Sequence, residues 1–258
     1  MWLSFSKYVG LGNDFVVVSA DADALGAADA QRLCDRHFGV GADGVLVVAP
    51  PRDGGLARMI VLNADGSRPE MCGNGLRCVA AYLGAARGLR ELVVETDAGP
   101  KRCVLEGGDV EIDMGVGVAQ GSVEIDVGGS RLALARVSMG NPHAITFDAF
   151  PRFLDDGLAV ATHPAFPDGT NFEVVRVVGP RELDVVVWER GVGPTLACGT
   201  GACAVAVEAC RSGRAPFGEP ITVRLPGGAL VITVSPTLSV SMRGPARLVF
   251  RGELDLGA

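Results

Sequence analysis

The residues best suited to take part in a reaction are two cysteines, each directly before the glycine-rich start of a predicted helix. Cys72 opens the run Cys-Gly-Asn-Gly, and Cys198 opens the run Cys-Gly-Thr-Gly 126 residues later. A thiol directly before a helix lies beside unpaired backbone N–H groups and the positive end of the helix dipole, which favour the thiolate. A free thiol is only about 3% ionised at pH 7, and up to about 2 kcal/mol from a helix terminus raises that fraction to around half. We therefore expect both cysteines to be able to exchange protons.

Two such thiols suit the inversion of a carbon that carries an acidic proton. A thiolate removes the proton from one face, and a thiol returns a different proton to the other face. Backbone N–H groups at the two helix starts would stabilise the negative charge that develops on a neighbouring carboxylate. These groups belong to Gly73, Asn74, Gly199 and Thr200. The pattern predicts racemisation or epimerisation without a cofactor.

The segments that follow the two cysteines predict helices that are buried on nearly all sides. Between residues 76 and 86 the one charged side chain is Arg77, and between residues 202 and 210 it is Glu208. Helices that are apolar all round lie inside a protein. We predict one helix over residues 73–87 and another over residues 199–211, each enclosed by β-structure.

Short β segments bounded by glycine and proline surround these helices. In the first half we predict strands over residues 5–8, 15–19, 44–49, 57–62, 91–96, 101–106 and 109–114. A similar series of strands follows Gly121, and a capped helix is predicted over residues 29–37. Residues 242–252 are expected to form one strand that returns to the first half.

Several landmarks repeat at one offset of about half the chain. Besides the two cysteine motifs, Asn13 pairs with Asn141 and Asn63 pairs with Glu189. We therefore predict an α+β protein with two pseudo-symmetric domains, each a curled, mostly antiparallel β-sheet or barrel around a buried central helix. The active site is expected in the cleft between the domains. Residues 1–115 and 242–258 form the predicted N-terminal domain with Cys72, and residues 116–241 form the C-terminal domain with Cys198.

Composition favours a small-molecule partner and argues against several other classes. The net charge of −7 supplies no basic surface for nucleic acid or anionic lipid, and no apolar run approaches the length of a membrane span. Seven cysteines without a secretion signal predict reduced thiols rather than a disulfide framework. The three histidines lack metal-ligand spacing, and two lysines leave few candidates for a pyridoxal cofactor. We expect a cytoplasmic protein with neither metal nor cofactor.

Several stretches along the whole chain resemble the diaminopimelate epimerase family. They are Gly12–Phe15, Asn63–Ser67, Met71–Cys78, Met139–His143, Asn171, Glu189–Gly191 and Ala197–Ala202. The two Cys-Gly-x-Gly motifs and the Glu-Arg-Gly run lie in the order and spacing of that family. One departure is Gly44, because some family members carry glutamine at this position.

The resemblance implies interconversion of LL- and meso-diaminopimelate in lysine and cell-wall precursor synthesis, by a homodimer that needs no cofactor. It makes Cys72 and Cys198 the acid/base pair, with His143 and Glu189 tuning their protonation. Substrate would be held by Asn13, Asn63, Gly73, Asn74, Asn141, Asn171, Glu189, Arg190, Gly199 and Thr200. Arg190 suits a bidentate grip on the distal carboxylate of the substrate.

Simpler interpretations of the same residues stay open at this point. Asn13, Asn63, Asn141 and Asn171 each lie within two residues of glycine, aspartate or proline, where turn chemistry is the usual explanation. Glu189 and Arg190 also fit a solvated ion pair, and His143 fits a hydrogen-bonded core histidine. Cys78, Cys203 and Cys210 fall within the apolar helices and are interpreted as small core side chains.

Three other functions also stay open. A sister racemase would use the same thiols on proline or histidine, and a substrate screen separates it from the first hypothesis. An isomerase of the phenazine-pathway type would not need two thiols. A redox sensor or anion-binding module would instead use a reversible disulfide between Cys72 and Cys198.

Overall fold

Residues 2–256, described by a computed structural model, form seventeen strands and four helices. The first half contains β1 Trp2–Gly10, β2 Asn13–Ser19, α1 Ala27–Cys34, β3 Gly44–Ala49, β4 Ala57–Asn63, α2 Gly73–Arg87, β5 Glu91–Thr96, β6 Gly99–Glu106 and β7 Asp109–Val116. The rest contains β8 Val118–Val127, β9 Ser130–Ser138, β10 Pro142–Thr146, α3 Phe153–Ala161, β11 Asn171–Gly179, β12 Glu182–Glu189, β13 Gly193–Thr195, α4 Gly199–Arg211, β14 Pro220–Leu225, β15 Gly228–Val234, β16 Ser239–Pro245 and β17 Arg247–Asp255.

These elements belong to two compact units. Unit 1 contains the described residues up to Ile112 and from Gly244 onward, and unit 2 runs from Asp113 to Arg243. Residues 1, 257 and 258 of the predicted N-terminal domain lie outside the described residues. Within residues 2–256, no helix combines the length and the apolar character needed to cross a bilayer.

The two units repeat one order of strand pairing. In unit 1, β1–β2 is antiparallel, β2–β3 parallel, β3–β4 antiparallel, β4–β5 parallel and β5–β6 antiparallel. In unit 2, β9–β10 is antiparallel, β10–β11 parallel, β11–β12 antiparallel, β12–β14 parallel and β14–β15 antiparallel. Helix α2 packs against β1 to β6 and β17, and α4 packs against β9, β10, β11, β14 and β15. Each unit is therefore a mostly antiparallel sheet around one central helix, which confirms the predicted fold class.

Helices α2 and α4 have the bounds that the sequence predicts. Each begins after a cysteine in extended conformation, and the sulfur of that cysteine accepts a hydrogen bond from the N–H of the third helical residue. Helix α2 ends at Gly88, whose φ of 67° is the left-handed conformation that glycine adopts most readily. Small side chains such as alanine, glycine and valine let the surrounding strands approach both helices closely.

All seven strands predicted for the first half lie within observed strands. Helix α1 starts two residues earlier than predicted, and the side chain of Asp29 accepts the N–H of Gly26 as a cap. It ends at Cys34 rather than His37, because the side chain of Asp35 accepts the N–H groups of His37 and Phe38.

Two other features differ from the sequence prediction. Helix α3 was not predicted, because it carries a glycine at its centre and its first residue follows Arg152, which makes no side-chain cap. The structure has two strands where one was expected over residues 242–252, because β16 ends at Pro245 and β17 begins at Arg247. The break at Ala246 follows a proline, which lacks the N–H that strand pairing needs. Strand β17 pairs antiparallel with β1 over Trp2 to Val9, so the return to the first half is confirmed.

Truncation of Leu76 tests whether burial of α2 stabilises unit 1. Leu76 is fully buried, so we expect Leu76→Ala to lower the free energy of unfolding by about 3 kcal/mol through lost packing and a cavity. Leu158→Ala is the control, since Leu158 is 59% exposed and its truncation should change stability by about 0.5 kcal/mol or less. Urea unfolding followed by circular dichroism measures both; equal effects would contradict a buried α2.

Candidate active site

Cys198 lies at the start of α4, where a backbone N–H and a hydroxyl group lie near its sulfur. The N–H of Gly201 is 3.4 Å from Sγ, and the hydroxyl oxygen of Thr200 is 3.5 Å from Sγ. Burial raises the pKa of Cys198 well above its ordinary value, and the carboxyl groups of Glu189 and Glu173 raise it further. The expectation of a half-ionised thiol is therefore wrong for Cys198, because desolvation of the anion outweighs the helix terminus. Cys198 rests as a thiol.

Glu189 ends β12 beside this thiol. Its Oε1 accepts a hydrogen bond from the hydroxyl of Thr195 at 2.6 Å, and its carboxyl group is also hydrogen-bonded to Cys198. Burial raises the pKa of Glu189, although the bonds to Thr195 and Cys198 lower it in part. A carboxylate with raised proton affinity in contact with a thiol is suited to take the proton of that thiol.

His143 lies in the interior of unit 2 and uses both ring nitrogens. Its Nδ1 is 2.7 Å from Oε1 of Glu173, and both side chains are fully buried. Its Nε2 is 3.0 Å from Oδ1 of Asn141, and Nδ2 of Asn141 donates to Thr200 Oγ1 at 3.3 Å. His143 is thereby connected to Cys198 through two intervening side chains. Sequence reasoning missed Glu173, although strand alternation places it on the same face of β11 as Asn171.

Asn171 and Arg190 are joined through the backbone. Nδ2 of Asn171 donates to the carbonyl of Pro142 at 2.9 Å, and its Oδ1 accepts the N–H of Arg190 at 2.9 Å. The exposed side chain of Arg190 donates from Nη1 to the carbonyl of Asp168. Asn171 therefore holds the backbone at Arg190. The hydrogen bond to the carbonyl of Asp168 orients the guanidinium of Arg190.

Cys72 has a similar local position in unit 1. It is half-buried, and the N–H of Gly75 is 3.4 Å from its Sγ. Two residues on, buried Asn74 accepts a hydrogen bond from Nη2 of Arg77 at 2.7 Å and donates from Nδ2 to Oδ1 of Asn13 at 3.4 Å. Arg77 is fully buried, which explains the one charge in the apolar helix: it orients the amide of Asn74. Asn13 and Asn74 are thus brought together in unit 1.

Asn63 is held in its own turn at the end of β4. Its Nδ2 donates to Oγ of Ser67 at 2.9 Å, and the carboxylate of Asp65 accepts from the N–H and hydroxyl of Ser67. Asn63 ends β4 as Glu189 ends β12, in agreement with the repeat.

A charged network that sequence reasoning did not predict supports Asn13. Oδ2 of Asp43 accepts from Nδ2 of Asn13 at 2.7 Å and from the N–H of Asp14 at 3.0 Å. Arg36 bridges Asp14 and Asp43, and Lys7 forms an ion pair with Asp14. The five side chains come from two segments, residues 7–14 and 36–43, which folding brings together, so the spacing alone gave no signal of this cluster.

The last glycine of each Cys-Gly-x-Gly motif lies in close contact with a side chain of the neighbouring strand. A Cβ on Gly75 would lie 2.9 Å from the side chain of Leu46, and a Cβ on Gly201 would lie 2.7 Å from Oε1 of Glu173. Any other residue would force these side chains to move away from the start of the helix.

The remaining cysteines are buried, and none of the seven forms a disulfide in the described part of the chain. Burial raises the pKa of Cys78 to about 12 and that of Cys34 to about 11. These side chains rest as thiols and pack in the interior. Within residues 2–256, no group of three or more His, Cys, Asp or Glu side chains has the arrangement of a metal site.

Comparison with known proteins agrees with this geometry. The model of the diaminopimelate epimerase family matches residues 5–125 and 135–249. A diaminopimelate epimerase from Synechocystis sp. is 42% identical over 99% of this chain and 100% of the relative. One from Desulforudis audaxviator is 46% identical over 97% of this chain and 99% of the relative. The solved structure of a hydroxyproline epimerase from Agrobacterium vitis has a TM-score of 0.76 at 14% identity, covers 100% of this chain and 93% of its own, and shows the fold.

Two repeated units, each with a cysteine at the start of its central helix, define an isomerase of the epimerase class. The family match and the close relatives are more specific. The chain belongs to the diaminopimelate epimerase family, as the resemblance predicts.

The departure at Gly44 has a local explanation. A Cβ at this position would lie 2.9 Å from the carbonyl oxygen of Leu62, so a glutamine would require the backbone of β3 or β4 to shift. The backbone here is fitted to glycine, and Asn13 is held by Asp43 instead.

The Asp14 network predicts a pH-dependent contribution to stability. Burial alone would raise the pKa of Asp14, but hydrogen bonds from Arg36 and Lys7 bring it down to about 2. Because the folded pKa lies below the ordinary value, the carboxylate stabilises the fold above about pH 4, and this contribution is lost as the pH falls toward 2. We expect Asp14→Asn to lower the free energy of unfolding by about 1 kcal/mol at pH 7, allowing for solvent screening, and to have little effect at pH 2.

Urea unfolding between pH 2 and pH 7 checks this, with exposed Asp126→Asn as the control. A loss of stability for Asp14→Asn that is the same at both pH values would contradict the network.

Proposed function

We propose that the protein interconverts LL- and meso-diaminopimelate by two-base proton transfer at the α-carbon, without a cofactor, in the synthesis of lysine and peptidoglycan precursors. The observation that carries this proposal is the repeated placement of a cysteine before the buried central helix of each unit, in a chain of the diaminopimelate epimerase family. A single thiol would suit many roles, whereas a matched pair suits the removal and return of a proton.

In the proposed reaction, one sulfur faces each side of the α-carbon. The thiolate of Cys72 accepts the α-proton, and the electron pair of the C–H bond is delocalised into the adjacent carboxylate. The thiol of Cys198 gives its proton to the opposite face, which forms the new C–H bond and leaves the Cys198 thiolate. This direction agrees with the raised pKa of Cys198. In the reverse direction, the Cys198 thiolate accepts the α-proton and the Cys72 thiol gives its proton to the opposite face. Between turnovers, Glu189 is proposed to accept the proton of Cys198 while Cys72 gains one from solvent, which prepares this state.

Substrate recognition is assigned to the polar groups around the two sulfur atoms. The first N–H groups of α2 and α4 are proposed to stabilise the carboxylate as it gains charge. These groups belong to Gly73, Asn74, Gly199 and Thr200. The exposed guanidinium of Arg190 is proposed to bind the distal carboxylate. The amides proposed to hold the remaining ammonium and carboxylate groups belong to Asn13, Asn63, Asn74, Asn141 and Asn171.

We also propose that the enzyme is a cytoplasmic homodimer. It binds its small-molecule substrate and binds neither nucleic acid nor membranes. Light scattering coupled to size exclusion measures the oligomeric state directly. A monomer at micromolar concentration would contradict the dimer without affecting the proposed chemistry.

Exchange of the α-proton with heavy water tests both reaction and substrate. Reduced protein, pretreated with a chelator, is incubated in heavy water with LL-diaminopimelate, and in parallel with proline, histidine or glutamate. We expect deuterium incorporation and formation of the meso isomer with diaminopimelate alone, because protons from the thiols exchange with solvent. Exchange of another amino acid would assign the protein to a sister racemase, and no exchange at all would contradict the proposal.

Removal of each thiol tests the assignment of acid and base. We expect Cys198→Ala and Cys72→Ala each to lower kcat by about 10²-fold to 10⁴-fold, the usual contribution of a positioned acid or base. Cys203→Ala, in the interior of the same helix as Cys198, is the matched control and should retain kcat within about threefold of the parent, in keeping with its place in the core. Steady-state kinetics by coupled assay or chiral chromatography measures all three. Equal loss in Cys203→Ala would indicate a packing effect.

A further inference from the structure

The repeated topology allows the surroundings of the two thiols to be compared position by position. In unit 1, Phe15 of β2 pairs with Gly44 of the parallel strand β3; in unit 2, His143 of β10 pairs with Asn171 of β11. Two residues further along β3 and β11, Leu46 and Glu173 lie against the glycines at the helix starts. Phe15 and Leu46 therefore occupy in unit 1 the positions that His143 and Glu173 occupy in unit 2.

Packing does not explain why unit 2 has a polar pair of side chains where unit 1 has an apolar pair. His143 and Glu173 have side chains with no solvent exposure, and Oε2 of Glu173 is buried without a hydrogen-bond partner in the described residues. Burial of such a pair costs desolvation free energy that an apolar pair of similar volume avoids, and unit 1 shows that the fold accepts an apolar pair here. The polar pair must therefore act on something that unit 1 lacks.

The direction of the hydrogen bond between His143 and Asn141 follows from its two atoms. Nδ1 of His143 lies 2.7 Å from Oε1 of Glu173, and Nε2 lies 3.0 Å from Oδ1 of Asn141. An amide oxygen can only accept, so Nε2 of His143 carries a hydrogen and donates it to Oδ1 of Asn141. Glu173 holds the ring in this orientation through Nδ1.

This donation fixes the direction of the next bonds. With Oδ1 of Asn141 facing His143, Nδ2 of Asn141 donates to the hydroxyl oxygen of Thr200. The hydroxyl of Thr200 then has its hydrogen available for Sγ of Cys198, 3.5 Å away. In unit 1 the corresponding amide bond runs the other way, because Asn74 donates to Asn13, and Asn74 has no hydroxyl.

We propose that Glu173 is a positioning residue for Cys198, which acts through His143 and Asn141 to turn the hydroxyl hydrogen of Thr200 toward the sulfur. This inference rests on the proposed function, in which Cys198 becomes a thiolate during each turnover. The hydroxyl stabilises that thiolate selectively, since a hydrogen bond to a charged acceptor is stronger than one to a neutral thiol. Glu173 need not exchange protons with substrate for this role.

The first arm of the test changes Thr200. Thr200→Val keeps the shape and removes the hydroxyl, and we expect kcat to fall about 10-fold to 100-fold with KM changed less than about threefold. Thr200→Ser restores the hydroxyl and should recover most of kcat. Thr146→Val is the matched control, since Thr146 is a buried threonine of unit 2 whose hydroxyl accepts the N–H of Asp148. An unchanged kcat in Thr200→Val would overturn the proposal.

The second arm changes Glu173. Glu173→Leu copies Leu46 of unit 1, and we expect a folded protein with kcat about 10-fold or more below the parent. In Glu173→Gln the amide donates to Nδ1 of His143 and keeps the hydrogen on Nε2, so kcat should recover to within about threefold of the parent. If Glu173→Gln is as slow as Glu173→Leu, the carboxyl group itself is required and the positioning role is wrong. Thermal unfolding of both variants separates loss of fold from loss of rate.

A third readout does not need turnover. The rate of alkylation of Cys198 by iodoacetamide, followed against pH by peptide mass spectrometry, reports its thiolate fraction. The titratable groups that act on this sulfur are Glu189 and Glu173, and His143 acts in turn on Glu189. We expect the midpoint to move to higher pH in Thr200→Val but not in Thr200→Ser. Glu173→Leu and Glu173→Gln both remove the carboxyl group that raises the pKa of Cys198, so they are compared with each other, and the midpoint should lie at higher pH in Glu173→Leu. A parent-like midpoint in Thr200→Val, or equal midpoints in the two Glu173 variants, would overturn the proposal even in an active enzyme, whereas failure of the proposed function would leave these differences intact.

Discussion

The hydrogen bond from the third helical N–H to a cysteine sulfur fixes the geometry of both candidate thiols. It makes each cysteine the cap of a buried helix, so the sulfur cannot move without exposing an unpaired N–H at the helix start. The glycine that supplies this N–H leaves room for a side chain of the neighbouring strand, Leu46 or Glu173, to pack directly against it. Cap, glycine and strand are one packing unit, and its repetition brings a second thiol into an equivalent local position.

The fold could be predicted in large part because its signals are local. The apolar stretches after Cys72 and Cys198 are visible within windows of about ten residues, as are the glycine and proline residues that bound the strands. These local signals predicted both central helices with the correct bounds. Helix α3 was missed because its local signals point elsewhere: Gly157 lies in its middle, and tertiary packing against Trp188 determines it. The break at Ala246 adjoins Pro245, and it separates a strand paired with β15 from a strand paired with β1, which is distant in sequence.

The candidate site was predictable only in its parts. The sequence indicated Cys72, Cys198, His143 and Glu189, yet their partners are side chains that folding brings together, such as Asp43 for Asn13 and Glu173 for His143. The same limit explains the wrong expectation for Cys198. A helix terminus acts within one turn and can be inferred from sequence, whereas desolvation depends on what surrounds the sulfur, and for a fully enclosed thiol it is the larger effect.

The proposed two-base reaction needs one sulfur that holds a proton while the other lacks it. The two units give their sulfur atoms different surroundings on a shared framework: Phe15 and Leu46 in unit 1, His143 and Glu173 in unit 2. The apolar pair gives its unit ordinary core packing. The polar pair costs desolvation free energy, and it begins a chain of contacts that leads through Asn141 and Thr200 to Cys198. Since the order of strand pairing is the same in both units, the difference in surroundings between the thiols comes from side chains such as these.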